Sequence, residues 1–117
     1  VYLGALAGND DHGHLLKNLL DTDKIDTTGL ITSDDRSTIT KMRILGDRQQ
    51  MMRLDFETIT NLTNQEEQQL SIWLENLCKA GIDGIVVSDY GKGVCTPTLL
   101  KTIFGLAKEY GANYRRS

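Results

Sequence analysis

Long apolar runs are missing from this sequence. No stretch approaches the roughly 20 apolar residues needed to span a bilayer as a helix. The apolar start, Val1 to Ala7, has no basic lead and no cleavage pattern, which sets it apart from a signal peptide. Runs of positive charge are missing too. Only Arg115 and Arg116 cluster, and the formal net charge is -3. That leaves no electrostatic footprint for nucleic acid or a membrane surface as partner, although a local basic group can still hold a phosphorylated substrate. Cysteine is scarce. Cys78 and Cys95 stand far apart without His or Asp at ligand spacing, against a zinc site or a disulfide framework. A reducing compartment, the cytoplasm, is the simpler expectation. There is no internal repeat and no low-complexity tract.

What is present is the composition of an ordinary globular chain. At 117 residues, with 39% hydrophobic and 25% charged residues, it is long enough for one domain with a modest core. It opens on Val1 inside an apolar run, as an internal fragment of a longer chain would.

Val1 to Ala7 reads as a strand, and Gly8-Asn9-Asp10 as a turn. Leu15, Leu16, Leu19 and Leu20 then recur at the spacing of one helical face. Asn9 or Asp10 suits the cap of that helix. Thr27 to Glu57 differs in kind: it is rich in Thr and Ile and alternates, so it is expected to be an insertion built on a hairpin that projects from the sheet. Thr38, Thr40, Met42 and Ile44 share one side of a strand, with Lys41 and Arg43 on the other. Gln50, Met52, Leu54 and Phe56 likewise oppose Met51, Arg53, Asp55 and Glu57.

Register follows from keeping the apolar residues on one face. A two-residue loop at Gly46-Asp47 would mix the apolar and charged sets. A three-residue loop, Gly46 to Arg48, pairs Arg43 with Met51 and Lys41 with Arg53 and keeps the faces distinct. Lys41 opposite Arg53 is unfavourable unless Asp55 or a bound anion compensates.

Leu70, Trp73, Leu74, Leu77 and Cys78 form one buried stripe of a helix from Asn64 to Ala80. Thr63 or Asn64 is its expected cap and Gly81 its stop. Ile85-Val86-Val87 reads as a short parallel strand buried on both faces. A Gly-flanked loop, Ser88 to Gly93, follows. Thr96-Pro97 then starts a last helix with Leu99, Leu100, Ile103, Leu106, Ala107 and Tyr110 on its inner face, closed by Gly111. The order strand, helix, hairpin, helix, strand, helix makes an α/β fold with a parallel sheet.

Ligands of open α/β sheets bind beyond the carboxyl ends of the strands. Asp89 lies at such an end and is placed to act as a general base. Lys92, between two glycines just before a helix, is placed to hold a phosphate. The competing reading is a plain strand-to-helix turn with a solvated lysine. Gly4, Gly8 and Gly13 with Asn9 and Asp10 lack the G-x-G-x-x-G order, and a cap with a tight turn accounts for them. Lys41, Arg43, Arg53 and Asp55 place three cations around one carboxylate, suited either to a sugar phosphate or to a solvated sheet face. His12 and His14 lack nearby Cys or Glu partners and read as surface residues. The residues alone therefore give an α/β domain with two anion-site candidates and no reaction.

Four segments carry a family likeness. Leu3 to Asp10 followed by Gly13 resembles the G-x-x-G-x-D-x-x-G strand and helix of the ribokinase-like (PfkB) sugar kinases. Arg36-Ser37-Thr38-Ile39-Thr40-Lys41-Met42-Arg43 resembles their lid strand. Gln49 to Glu57 is similar to the Q-Q-x-x-R-x-D-x-E stretch of heptose-7-phosphate kinases, and Val87 to Val94 to their S-D-Y-x-K-G segment. The likeness runs from about Val1 to Gly111 and makes residues 1–117 a single incomplete kinase-domain segment, with the lid at about 27–57.

The resemblance implies a partial ribokinase-like sheet with flanking helices and a projecting β-hairpin lid. It implies transfer of a phosphoryl group from ATP, with Mg²⁺, to a sugar phosphate, most closely heptose 7-phosphate in ADP-heptose and lipopolysaccharide precursor synthesis. It makes Lys41, Arg43, Arg53, Asp55, Asp89 and Lys92 the substrate-binding candidates and implies a homodimer clasped through the lid. The alternatives are a kinase of another sugar in the family, or a non-catalytic module that self-associates through the hairpin. The family's late Gly-Ala-Gly-Asp motif, which carries the catalytic base, does not occur here, nor does its nucleotide-binding region or any fused nucleotidyltransferase. The expectation is therefore no catalytic residue in this chain, no assigned metal ligand, an ATP and Mg²⁺ site largely outside it, and no activity of the chain alone. After Gly111, Ala112 to Ser117 departs from the family's next strand.

Overall fold

The computed structural model describes residues 1–117 and orders them as nine elements: β1 (Tyr2–Gly8), α1 (Asp11–Thr22), β2 (Asp26–Ser33), β3 (Thr40–Gly46), β4 (Gln49–Phe56), α2 (Asn64–Ala80), β5 (Gly84–Val87), α3 (Pro97–Tyr110) and β6 (Asn113–Arg116). The class is α/β as expected. No helix is long and apolar enough to cross a membrane.

Helix ends fall where local chemistry puts them. Asp10 caps α1 by accepting from the Gly13 N–H. Thr63 and Glu66 form a reciprocal capping box on α2, and Gly81, at φ 95°, closes it in the left-handed region. Thr96 caps α3 with Pro97 in its first turn, and Gly111 ends it at φ 70°. The core joins Leu70, Leu74 and Cys78 of α2 to Leu99, Ile103 and Leu106 of α3, with Leu62 and Val87.

The strands differ from expectation in three places. Residues 26–33 are not part of the projecting insertion: β2 runs parallel to β1, from Tyr2 beside Asp26 to Gly8 beside Ser33. The projecting hairpin is therefore residues 40–56 alone. What secures β2 is tertiary. Gly4 and Gly29 are partners in the register, and the Trp73 ring lies over both. A Cβ at Gly4 would come within 2.6 Å of that ring, and one at Gly29 within 2.5 Å. The indole N–H donates to Thr28 Oγ1 at 2.9 Å.

The hairpin register is also corrected. Gly46 pairs with Gln49, so the loop is only Asp47 and Arg48, and a bulge follows between Ile44 and Leu45. One extra residue in the bulge, Met51, restores the parity that a three-residue loop would supply. Met42, Ile44, Met52 and Leu54 consequently share a face as expected, but Lys41 lies opposite Asp55, and Arg43 opposite Arg53. Asp47 tolerates its φ of 37° because its short polar side chain suits the left-handed region.

Finally, β5 is not buried on both faces, since Val86 is 74% exposed. It pairs on one side only, with β6, which is formed by residues of the departing tail. The parallel sheet is accordingly split into β1–β2 and β5–β6. Both strands of the gap, β1 through Tyr2 and Gly4 with the preceding Val1, and β5 through Ile85 and Val86, border one apolar cleft of about 770 Å³ floored by α2 and α3.

Candidate functional site

Three clusters gather at the carboxyl ends of the strands and at the root of the hairpin. The first is built on Asp10. Its Oδ1 accepts from the Gly13 N–H at 2.8 Å and from Thr38 Oγ1 at 2.7 Å, and its Oδ2 from the Thr38 N–H at 2.8 Å. The Thr38 hydroxyl and N–H, then the Gly13 N–H, hold this carboxyl down at about 2. Thr38 Oγ1 also receives the Gly8 N–H at 2.9 Å. A Cβ on Gly8 would stand 2.6 Å from both the Arg36 carbonyl oxygen and the Thr38 nitrogen, which requires glycine there. The glycines and Asp10 thus form a cap and a close backbone crossing that fastens the segment leading into β3 to β1. His14 meets Asn9 Oδ1 at 3.1 Å, and His12 Nδ1 meets Thr40 Oγ1 at 3.3 Å.

The second cluster is the charged face of the hairpin. Arg53 Nε lies 3.1 Å from Asp55 Oδ1, and its Nη2 donates to Oδ2 at 3.2 Å. Lys41 is the cross-strand neighbour of Asp55, and Arg43 that of Arg53. Lys41 and Arg43 are exposed and enter no ion pair. Arg43 beside Arg53 is the like-charge pair of the face, and Asp55 compensates only the second of them.

The third is the loop between β5 and α3. Gly91 and Gly93 take φ of 67° and 92°, and the Lys92 ammonium turns back to Glu57 Oε2 at 2.7 Å. Gly93 abuts the Thr60 carbonyl with no room for a side chain, its own carbonyl receives the Leu62 N–H at 3.0 Å, and Arg36 Nη2 donates to the Thr60 carbonyl at 2.7 Å. Asp89 faces elsewhere. It accepts from the Gly91 N–H at 2.9 Å and from Arg116 Nη2 at 3.1 Å. Those two donors, the Gly91 amide first, hold its carboxyl below the usual range. A carboxylate so satisfied is a weak proton acceptor near neutral pH. The α3 N-terminus is likewise engaged: Thr96 Oγ1 accepts from Leu99 N–H at 3.1 Å and donates to Glu67 Oε2 at 2.6 Å.

Of the six candidates, the structure brings Arg53 and Asp55 into contact and sets Lys41 and Arg43 beside them. Lys92 joins this face through Glu57, one residue beyond β4, whereas Asp89 is tied to β6. Glu57, Thr38 and Arg116 are the partners that sequence reasoning missed. Glu57 was findable, because it extends the alternation of Arg53 and Asp55. Thr38 stands inside the lid-strand likeness, but nothing local marks it as the partner of Asp10, and nothing local marks Arg116.

No protein-family profile matches the chain. Curated relatives do. The chain is 40% identical over 114 residues to the bifunctional protein HldE of Gluconobacter oxydans, covering 95% of this chain and 23% of that protein. It is 34% identical over 111 residues to HldE of Helicobacter pylori, covering 94% and 24%. With HldE of Geobacter sulfurreducens the identity is 33% over 109 residues, covering 93% and 22%. The chain thus spans about a quarter of the length of the curated relatives it matches. Among solved structures, Sa239 superposes with a TM-score of 0.71 at 15% identity, over 99% of this chain and 36% of that one. A protein assigned as Ribokinase II from E. coli, solved in complex with ATP and Mg²⁺, gives 0.67 at 18% identity, over 98% and 35%. The second likeness shows a ribokinase-like fold.

Proposed function

We propose that this chain, which matches about a quarter of the length of its HldE relatives and shares the fold of a ribokinase-like neighbour, is the lid-bearing, substrate-facing part of a kinase for a phosphorylated sugar. The observation that carries this is the continuous charged surface of Lys41, Arg43, Arg53 and Asp55, linked through Glu57 to Lys92. Arginine's planar fork suits phosphate and Asp55 suits sugar hydroxyls. Asp89, ionised and held by the Gly91 amide, is an acceptor for a hydroxyl rather than a base. Heptose 7-phosphate is the proposed substrate, with ADP-heptose and lipopolysaccharide core synthesis as the setting. The proposal draws its support from the Q-Q-x-x-R-x-D-x-E and S-D-Y-x-K-G segments.

ATP and Mg²⁺ are the proposed co-substrate and cofactor of the complete enzyme. Their site is proposed to lie largely outside these residues, none of which is assigned to the nucleotide or the metal. No step through ATP is therefore assigned to these residues, and the chain by itself is proposed to bind sugar phosphate without turnover. Calorimetric titration with heptose 7-phosphate checks this. Saturable binding that Arg53→Gln weakens by about tenfold supports it, and absence of binding by the wild-type chain rejects it.

A second reading is self-association through the lid. It is favoured by the exposed apolar face of the hairpin, where Met42, Ile44, Met52 and Phe56 are 40–52% exposed.

A further inference from the structure

We propose that Glu57 is a built-in competitor for the substrate's anion. It occupies Lys92 when the site is empty, and its displacement by an incoming phosphate releases the root of the hairpin. The inference rests on the reading above that Lys92 meets an anion.

The hairpin is almost free of the body. β3 and β4 pack substantially only on each other, and nearly every side chain from Lys41 to Phe56 is exposed. Thr38, just ahead of β3, is held by Gly8 and Asp10; beyond that fastening, two side-chain contacts join residues 40–57 to the body, one at each strand's root. Thr40 Oγ1 meets His12 Nδ1 at 3.3 Å, a long contact. Glu57 Oε2 meets Lys92 Nζ at 2.7 Å, a short charge-assisted one.

Both partners of the second contact are screened. The Lys92 side chain is 33% exposed and the Glu57 side chain 26%, the least exposed pair of cation and anion taken together in the chain. The surroundings of Lys92 are fixed. Gly91 and Gly93 hold left-handed backbone on either side. The strap at residues 60–62 is fastened to Gly93 by the Leu62 N–H, and to Arg36 by the Thr60 and Asn61 carbonyls at 2.7 and 3.2 Å.

When Glu57 lets go, the strap therefore stays in place and the β4 root of the hairpin is released from Lys92. A lysine ammonium can take a second anion, but a phosphate close to the carboxylate repels it, so one anion exchanges for the other. Glu57 thus lowers phosphate affinity and couples occupancy of Lys92 to freedom of the lid.

The test compares the wild-type chain with Glu57→Gln and Lys92→Gln, using inorganic phosphate as the probe. Binding is read by NMR titration, and lid freedom by amide hydrogen exchange over residues 49–56. Expected are about two- to fivefold tighter phosphate binding by Glu57→Gln, the scale of one partly exposed ion pair, and loss of binding by Lys92→Gln. Exchange in β4 is expected to be faster in both variants without phosphate, and faster in the wild-type chain only when phosphate is added. If Lys92→Gln abolishes binding while Glu57→Gln changes neither affinity nor exchange, competition is overturned and the anion reading survives. If no protein binds phosphate, both fail, whatever the exchange rates.

Discussion

Asp10 and Thr38, 28 residues apart, are joined by two hydrogen bonds of 2.7 and 2.8 Å, so the cap of α1 also fastens the segment that leads into the hairpin. A single carboxylate thereby couples the start of a helix to the root of the hairpin. The same carboxylate makes a pH dependence.

The folded-state value of Asp10 is about 2, against 3.8 for an ordinary aspartate. A depressed carboxyl contributes stability that is fully present above the unfolded value and is lost as pH falls through the folded one. Urea midpoints of the wild-type chain are therefore expected to drop between about pH 4 and pH 2. Asp10→Asn, compared at each pH, should have a lower midpoint at pH 6 and a shallower fall. Parallel curves for the two proteins would contradict this.

Trp73 lies across Gly4 and Gly29 with no space for a Cβ on either. Gly29→Ala is expected to destabilise the chain by about 1–3 kcal/mol through overpacking. The loss should shrink when Trp73 is replaced by Leu in the same chain, a coupling that chemical denaturation of the four proteins measures.

Arg116 supports the ionised form of Asp89 from the end of β6. Arg116→Gln should raise the Asp89 midpoint toward 3.8, read from its carboxyl carbon in an NMR titration. It should leave some depression, because the Gly91 N–H, the larger cause, remains.

Self-association through the hairpin should be concentration-dependent in sedimentation velocity. Met52→Glu, on the apolar face, is expected to shift the population toward monomer by placing an unpaired charge in the contact. Arg48→Glu, at the loop tip, should not.

The apolar face of the hairpin was legible because parity decides it. A loop of two residues with a bulge and a loop of three give the same faces, and for the same reason the sequence could not say which was present. The difference matters at the site, since it moves Lys41 from Arg53 to Asp55 and leaves Arg43 and Arg53 as the like-charged pair. The candidate residues were legible as charges on one face, but their partners were not: hydrogen bonding is settled by which segments meet.

The sequence by itself determined the helices of this protein, their caps at Thr63, Thr96, Gly81 and Gly111, and the two-faced hairpin. Those depend on interactions within a few residues, which leave a periodic or positional mark. Tertiary structure decided that 26–33 joins β1, that 113–116 joins β5, and that Asp10, Lys92 and Asp89 meet Thr38, Glu57 and Arg116. A parallel pair is closed only through a crossover, and an ion pair across 35 residues depends on how those crossovers pack. Neither leaves a local trace.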